Sequence, residues 1–307
     1  MKLPKLPRPG FPFNAPTTPG GVEPLPPKKK FGIDYETDWA RQLPARLVRA
    51  ALLDSVVRAG VRVLADPDRD GLDRLHDLQQ LDDTQPVIFA ANHHSHIDTP
   101  LLLSSIPEPW RYKIFVAAAA DYFFKTRVTS TASALALNAI PIERSKVNRR
   151  SADDAAALIE EGWSMVIFPE GGRSPDGWGQ EFRGGAAYLA IRCRVPVIPV
   201  HLEGTGRILR KGKKAPQRSR TRVTFGAPLW PGEGDDSRHM AVRIERAVAA
   251  LADESATDWY SARMRAHAAT TPSLGGPDLA GWRRAWALGD RGPKRRRATK
   301  RTWPDLD

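Results

Sequence analysis

Residues 92 to 99 read Asn-His-His-Ser-His-Ile-Asp-Thr, three imidazoles closed by a carboxylate directly after the apolar run Val87 to Ala91. Two kinds of chemistry suit this stretch. In one, Asp98 holds one ring nitrogen of His93, fixes its tautomer and leaves the other nitrogen as a base for an attacking hydroxyl. The gap of five residues would set the two side chains about 140° apart on an unbroken helix. The pair therefore meets only if a loop bends the chain back between a strand ending at Ala91 and a helix opening at Thr99. In the other, His94, His96 and Asp98 form H-x-H-x-D, a spacing by which neutral imidazoles hold a metal ion that activates water in a metal-dependent hydrolase. That motif expects a further histidine after the aspartate, where this chain has Thr99; His76, His201, His239 and His267 stand without ligand spacing. Blander roles remain open: Asp98 as a helix N-cap, His94 and His96 as exposed loop residues.

A second stretch, Ile167 to Ser174, reads IFPEGGRS. Glycines at a strand end let backbone N–H groups approach an anion closely, and Arg173 adds a planar fork that matches phosphate. Glu170 suits orienting Arg173 or a substrate hydroxyl. By itself the stretch is also ordinary turn chemistry. Upstream, Ala139 to Lys146 reads AIPIERSK, with Arg144 after a short apolar run; one arginine there is by itself no more than a solvated charge.

Elements that could position these residues alternate along the chain. Pro86 to Ala91, Ile114 to Ala118, Trp163 to Phe168, Val195 to Leu202 and Arg222 to Phe225 read as strands. Helices are expected from Thr99 through Leu103, over Ser151 to Glu161 with Ser151 and Asp154 in capping-box spacing and Gly162 as the stop, and over Gly184 to Cys193. Strands apolar on both faces and separated by helices predict an α/β fold whose largely parallel sheet is flanked by helices. Ligands bind at the carboxyl ends of such strands, which points to the loops after Ala91, Phe168 and Leu202. Ahead of the sheet, Thr37 to Val63 has helical period. Trp39, Leu43, Leu47, Leu52 and Val56 recur among Arg41, Arg46, Arg49, Arg58 and Arg62, an amphipathic segment that suits an interfacial helix on anionic lipid or a helix packed on the core through its apolar stripe.

The ends differ in composition. Residues 1–32 hold nine prolines and Lys28, Lys29 and Lys30, and read as an extended, poorly ordered arm without the apolar core of a secretory signal. Residues 270–307 turn to Gly, Pro and basic residues, with KRRRATKR at Lys294 to Arg301 and Trp282, Trp286 and Trp303 interspersed. The organisation expected is thus an arm over 1–32, an α/β body with its N-terminal helical segment over 33–269, and a basic, Trp-containing tail over 270–307, with no internal repeat.

Forty-seven Lys plus Arg against thirty-five Asp plus Glu leave a formal charge of +12 over 307 residues. Such a field attracts anionic lipid, nucleic acid or acidic carriers without choosing among them. Cys193 is the sole cysteine, which excludes an internal disulfide and a Cys-rich zinc site and suits a reducing, cytoplasmic compartment. The longest apolar stretches, Ile114 to Ala120 and the Ser/Thr-rich Val128 to Ile142, fall short of the roughly 20 residues a spanning helix needs.

Taken together, four stretches resemble the signature blocks of the glycerophospholipid acyltransferases, the lysophosphatidate acyltransferase-like family. Asn92-His93-His94-Ser95-His96-Ile97-Asp98 resembles N-H-x-S-x-x-D; Ile140-Pro141-Ile142-Glu143-Arg144 resembles the apolar block ending in Arg. Phe168 to Ser174 matches F-P-E-G-x-R-S, and Val195 to Val200 the V-P-V-x-P strand. Order and separation fit over roughly Val63 to Phe225. The resemblance implies a glycerol-phosphate-acyltransferase-like α/β fold and no cofactor or metal. It implies His93 as general base held by Asp98 in a direct transfer from acyl-CoA or acyl-carrier protein to a glycerol hydroxyl, lysophosphatidate being the first acceptor. Arg144, Glu170, Gly171, Gly172 and Arg173 then match the blocks that hold the acceptor's phosphate and glycerol. A peripheral location on the inner face of the cell membrane, against anionic lipid, follows from the charge and that acceptor. Two positions depart from the family pattern: AAAADYFFK stands where a Lys-Lys-Glu-Leu-like run is common, and Gly172 where Thr is common. A binding-module reading, in which KRRRATKR and the tryptophans engage nucleic acid, ranks behind the enzyme because four ordered blocks favour a catalytic core.

Overall fold

The computed structural model describes residues 32–76, 78, 85–143, 149–209, 215–278 and 283–284; residues 1–31 of the expected arm, the basic run and Arg144 lie outside them. Seven strands form one sheet: β1 (Pro67–Asp70), β2 (Ile88–Ala91), β3 (Ile114–Ala119), β4 (Ala139–Ile142), β5 (Ser164–Ile167), β6 (Val197–Glu203) and β7 (Thr221–Phe225). Their order is β1-β7-β6-β2-β5-β3-β4. Every ladder is parallel except β6 with β7, which is antiparallel. The sheet is thus mostly parallel, as expected, with β1 and β7 running against the other five strands, and β2 and β5 lie side by side near its centre.

Why β2 is a strand is visible in its burial. Val87, Phe89 and Ala91 enter one core cluster with Val61, Leu101 and Leu102, while Ile88 and Ala90 enter a second with Ala155, Ile159, Leu189 and Ile244. Alternate residues serve opposite faces, and helices cover both. On the first face lie α2 (Arg58–Ala65), which follows α1 (Leu43–Leu52) after a single π turn, and α3 (Asp98–Ser105). On the second lie α6 (Arg149–Glu160), α7 (Gly185–Cys193) and α9 (Ser237–Ala256). Between them in sequence come α4 (Ala120–Phe123), α5 (Arg127–Leu137) and α8 (Thr205–Ile208); α10 (Trp259–His267) closes the series.

Three of the elements that the periodicity reading misses do so for physical reasons. β1 is Pro-Asp-Arg-Asp, charged and mostly exposed, and is held by its backbone ladder to β7 and by an Asp70–Arg222 ion pair at 3.4 Å. β4 carries Pro141 at the sheet edge, where its missing N–H costs no ladder bond. α5 lies within the Ser/Thr-rich run counted above as apolar but short. Thr126 caps it by accepting from the Thr129 N–H at 3.2 Å, and Asn138 in left-handed backbone ends it.

The N-terminal helical segment also corrects one expectation. α1 and α2 seat through Ala45, Arg49, Leu53, Val61 and Ala65, whereas Leu43, Leu47 and Val56 of the expected stripe are exposed by 64%, 62% and 66%. The period was right and the inward face was not, because a buried arginine anchors this segment. Arg49 donates through Nε to the Leu135 carbonyl at 2.9 Å and through Nη2 to the Ala40 carbonyl. Among the described residues no helix is long and apolar enough to cross a membrane.

Candidate active site

The chain leaves β2 at Ala91 and must turn at once. Asn92, buried, makes the turn by bonding both backbone groups of Leu202: its amide donates to the Leu202 carbonyl at 2.9 Å and its carbonyl accepts from the Leu202 N–H at 2.7 Å. This fastens the exit of β2 to β6. Ser95 Oγ donates to the Leu209 carbonyl at 2.9 Å and pins the next bend.

Asp98 begins α3 and is fully buried. It does not serve as the N-cap, a place taken by Ile97; instead its Oδ2 turns back into the loop. There it accepts from the His94 N–H at 2.6 Å and the Ser95 N–H at 2.8 Å, and meets His93 Nδ1 at 2.8 Å. With two backbone donors and an imidazole on one oxygen, the ionised carboxylate makes Nδ1 the protonated nitrogen and leaves Nε2 with its lone pair. The His93 ring stacks on Phe168, centroids 4.2 Å apart.

The loop after β5 comes up beside it. The Glu170 carboxyl, 2% exposed, accepts the His93 backbone N–H through Oε1 at 2.9 Å and the Gln180 N–H through Oε2 at 3.2 Å. Burial pushes its pKa up to about 7 against the pull of those donors. The Ser174 N–H donates to the His93 carbonyl at 2.8 Å, so His93 is gripped through both its backbone groups by one neighbouring loop. Gly171 has φ +71°, and a Cβ there would lie 2.9 Å from the Arg183 guanidinium carbon. The carbonyl of Gly172 accepts from Gln180 Nε2 at 3.1 Å.

These residues border a cavity of about 560 Å³ at the carboxyl ends of β3 and β5. His93, Arg173 and Arg183 stand on its polar side; Val116, Met165, Ile167 and Leu189 make its apolar depth. At the mouth, His96 Nε2 and the Tyr122 hydroxyl meet at 2.9 Å with their rings stacked. Burial lowers the pKa of both His94 and His96, and Arg173 lowers that of His96 further. Among the described residues no three His, Cys, Asp or Glu side chains are placed to hold a metal ion. The arrangement can remove a proton at His93 Nε2 beside a basic, hydrogen-bonding pocket that opens into apolar space.

Of the residues singled out from sequence, His93, Asp98, Glu170, Gly171, Gly172 and Arg173 come together, and Arg144 lies outside the described residues. Asn92, Phe168, Ser174, Gln180 and Arg183 were missed as site residues. Asn92, Phe168 and Ser174 stand inside the quoted blocks, which was the available signal; Gln180 and Arg183 carry none.

Residues 74–203 match the acyltransferase family. A chloroplastic 1-acyl-sn-glycerol-3-phosphate acyltransferase of Brassica napus is 31% identical over 155 residues, covering 49% of this chain and 42% of that protein. The human 1-acyl-sn-glycerol-3-phosphate acyltransferase beta is 28% identical over 41% of this chain and 44% of its own length. The chain therefore spans less than half the length of both relatives. The solved structure of the 1-acyl-sn-glycerophosphate acyltransferase PlsC from Thermotoga maritima shares the fold, with a TM-score of 0.55 and 21% identity over 72% of this chain and 87% of that one. Over residues 74–203 the chain is thus similar to the acyltransferase family, and it shares its fold with PlsC.

Proposed function

We propose that the chain is an O-acyltransferase that moves a fatty acyl group from an acyl thioester, acyl-CoA or acyl-carrier protein, to a glycerol hydroxyl of lysophosphatidate or a related lysophospholipid. The observation that carries this is the His93 ring, tied at Nδ1 to a buried Asp98 at 2.8 Å, on the rim of a cavity with a basic mouth and an apolar depth. His93 Nε2 takes the hydroxyl proton as the oxygen attacks the thioester carbonyl. The tetrahedral intermediate then expels the thiolate, which takes that proton back from the imidazolium, and no acyl-enzyme forms. Arg173, with Glu170, Gly171 and Gly172, holds the acceptor's phosphate and glycerol; Arg144 has the same role by resemblance.

The enzyme acts peripherally, on the inner face of the cell membrane. Support comes from the exposed Leu43, Leu47 and Val56 beside Arg46 and Arg62, a ridge suited to anionic lipid, where each basic residue near the surface adds about 1 kcal/mol. Vesicle binding that weakens with added salt is expected, and equal binding to neutral and anionic vesicles would count against it.

The test is a transfer assay with labelled acyl-CoA on anionic vesicles, offering lysophosphatidate, glycerol 3-phosphate and other lysophospholipids to wild type and His93→Ala. Product that forms with wild type and vanishes in a folded His93→Ala supports the reading. Chelator-sensitive hydrolysis that depends on His94 and His96, with no acylated acceptor, would replace it with a metal-dependent hydrolase.

A further inference from the structure

The loop from Ser174 to Gln180 has two edges, and each is held by a different part of the chain. Its inner edge faces the site, where Ser174 bonds His93 and Gln180 bonds Glu170 and Gly172. Its outer edge is held from the far end of the chain. Arg284 closes a fork on Asp176, with Nε and Nη2 donating to Oδ2 at 3.0 and 2.8 Å, while Nη1 donates to the Pro277 carbonyl at 2.9 Å. The Trp178 indole N–H donates to the Arg284 carbonyl at 3.1 Å, and the Gly179 N–H donates to the Leu274 carbonyl at 2.9 Å.

Packing makes this docking close. Trp178 is only 3% exposed. Gly276, at φ +72°, comes so near its ring that a Cβ would sit 2.3 Å from an indole carbon. Within the loop, Asp176 Oδ1 accepts the Trp178 N–H at 3.0 Å and Ser174 Oγ accepts the Gly177 N–H at 2.7 Å, so the two edges are joined through a short hydrogen-bonded turn. Apart from Trp178 the loop is made of Ser, Pro, Asp, Gly and Gln, so its order comes from that ring's seat and from what the loop is bonded to.

We propose that Arg284 and Trp178 are positioning residues for acyl transfer: the segment from Ser273 to Asp278, together with Arg284, straps the outer edge of the Ser174–Gln180 loop so that its inner edge holds Glu170 and His93 in register. The proposal rests on the acyltransferase reading. It gives a role to residues that the composition alone assigns to a tail. Neither residue touches substrate; each acts through the loop.

The experiment compares the full chain with Arg284→Ala, Arg284→Lys and Trp178→Phe, the last keeping an aromatic ring and removing the indole donor. Steady-state acyl transfer to lysophosphatidate is measured with melting temperature and amide hydrogen exchange. The expected result is a kcat lowered about 10-fold in Arg284→Ala, the size of a small misplacement of a reacting group. The KM for the thioester is unchanged, exchange at Gly179 and Gln180 is faster, and Arg284→Lys recovers part of the rate through its single charge. A kcat within about 2-fold of wild type in both Arg284→Ala and Trp178→Phe, or unaltered exchange at Gly179 and Gln180, would overturn the strap. A wild-type chain that acylates nothing overturns the acyltransferase reading instead, and the exchange comparison then decides by itself whether the strap orders the loop.

Discussion

The two loops that build the site are braced in opposite ways. In the loop after β2 the His93 imidazole is oriented locally: Asp98 reaches back over three to five residues to bond Ser95, His94 and His93. The loop after β5 depends on distant partners, with Gln180 ten residues beyond Glu170 and Arg284 a further 108 residues beyond Asp176. The first arrangement orients the imidazole from within a short segment, although the backbone that carries it is tied to Glu170, Ser174, Leu202 and Leu209. The second makes a binding surface whose shape is set by the rest of the fold. Changes in the first should act on the chemical step almost alone, and changes in the second should act on binding, stability and rate together.

The sharpest way to break that contrast is Asp98→Asn. An amide oxygen there accepts the same donors more weakly and offers no negative charge to the imidazolium, and a loss of roughly 10²- to 10⁴-fold in kcat is expected. Thiol release followed continuously on purified protein reads it, and a variant that keeps more than a tenth of the wild-type rate would remove His93 as the base. Next in size is Gly171→Ala in the β5 loop. Left-handed backbone and the nearby Arg183 guanidinium both oppose a methyl group, so the fold should lose about 1–2 kcal/mol and the acceptor KM should rise. Denaturant unfolding and acceptor titration test the two effects, and an unchanged KM would argue that this loop does not shape the acceptor site.

Glu170→Gln sharpens the comparison through pH. The Glu170 carboxyl has a native pKa of about 7 against an ordinary 4.5, so between those values the native state holds a proton the unfolded chain has lost. Stability from this group therefore falls as pH rises from about 4.5 to about 7, by roughly 3 kcal/mol in order of magnitude, and is level above. In Glu170→Gln that slope should be absent, which a series of melting curves from pH 5 to 8 would show. The smallest effect is expected from Tyr122→Phe. It removes one exposed hydrogen bond to His96, worth about 1 kcal/mol or less, while the Asp98 contacts remain. A kcat that collapsed would mean that Asp98 does not orient the imidazole by itself.

The same contrast explains what was legible in the sequence. His93 and Asp98 could be paired on paper because their contact lies within five residues and only a bend had to be supplied. The strands β2, β5 and β6 were legible because both of their faces are apolar. β1 was not, since its charged residues look like a loop until β7 arrives to pair with it. The phase of α1 was hidden for a related reason: periodicity shows that a helix has two faces, and only tertiary contact, here Arg49 with Leu135 and Ala40, shows which one turns inward. Gln180, Arg183 and Arg284 are ordinary polar residues in sequence, given meaning by neighbours far along the chain.

The pairing of β1 with β7 also sets an order in time. Pro67 lies against Thr221, 154 positions later, while β2, β3 and β5 are all made before residue 168. During synthesis the central strands can find one another early, because short closures come at lower entropic cost. The strand joined directly to the N-terminal helices must wait for a partner from beyond residue 220. A ribosome making this protein thus displays the basic, apolar ridge of α1 and α2 to its surroundings well before the sheet that follows it has been closed.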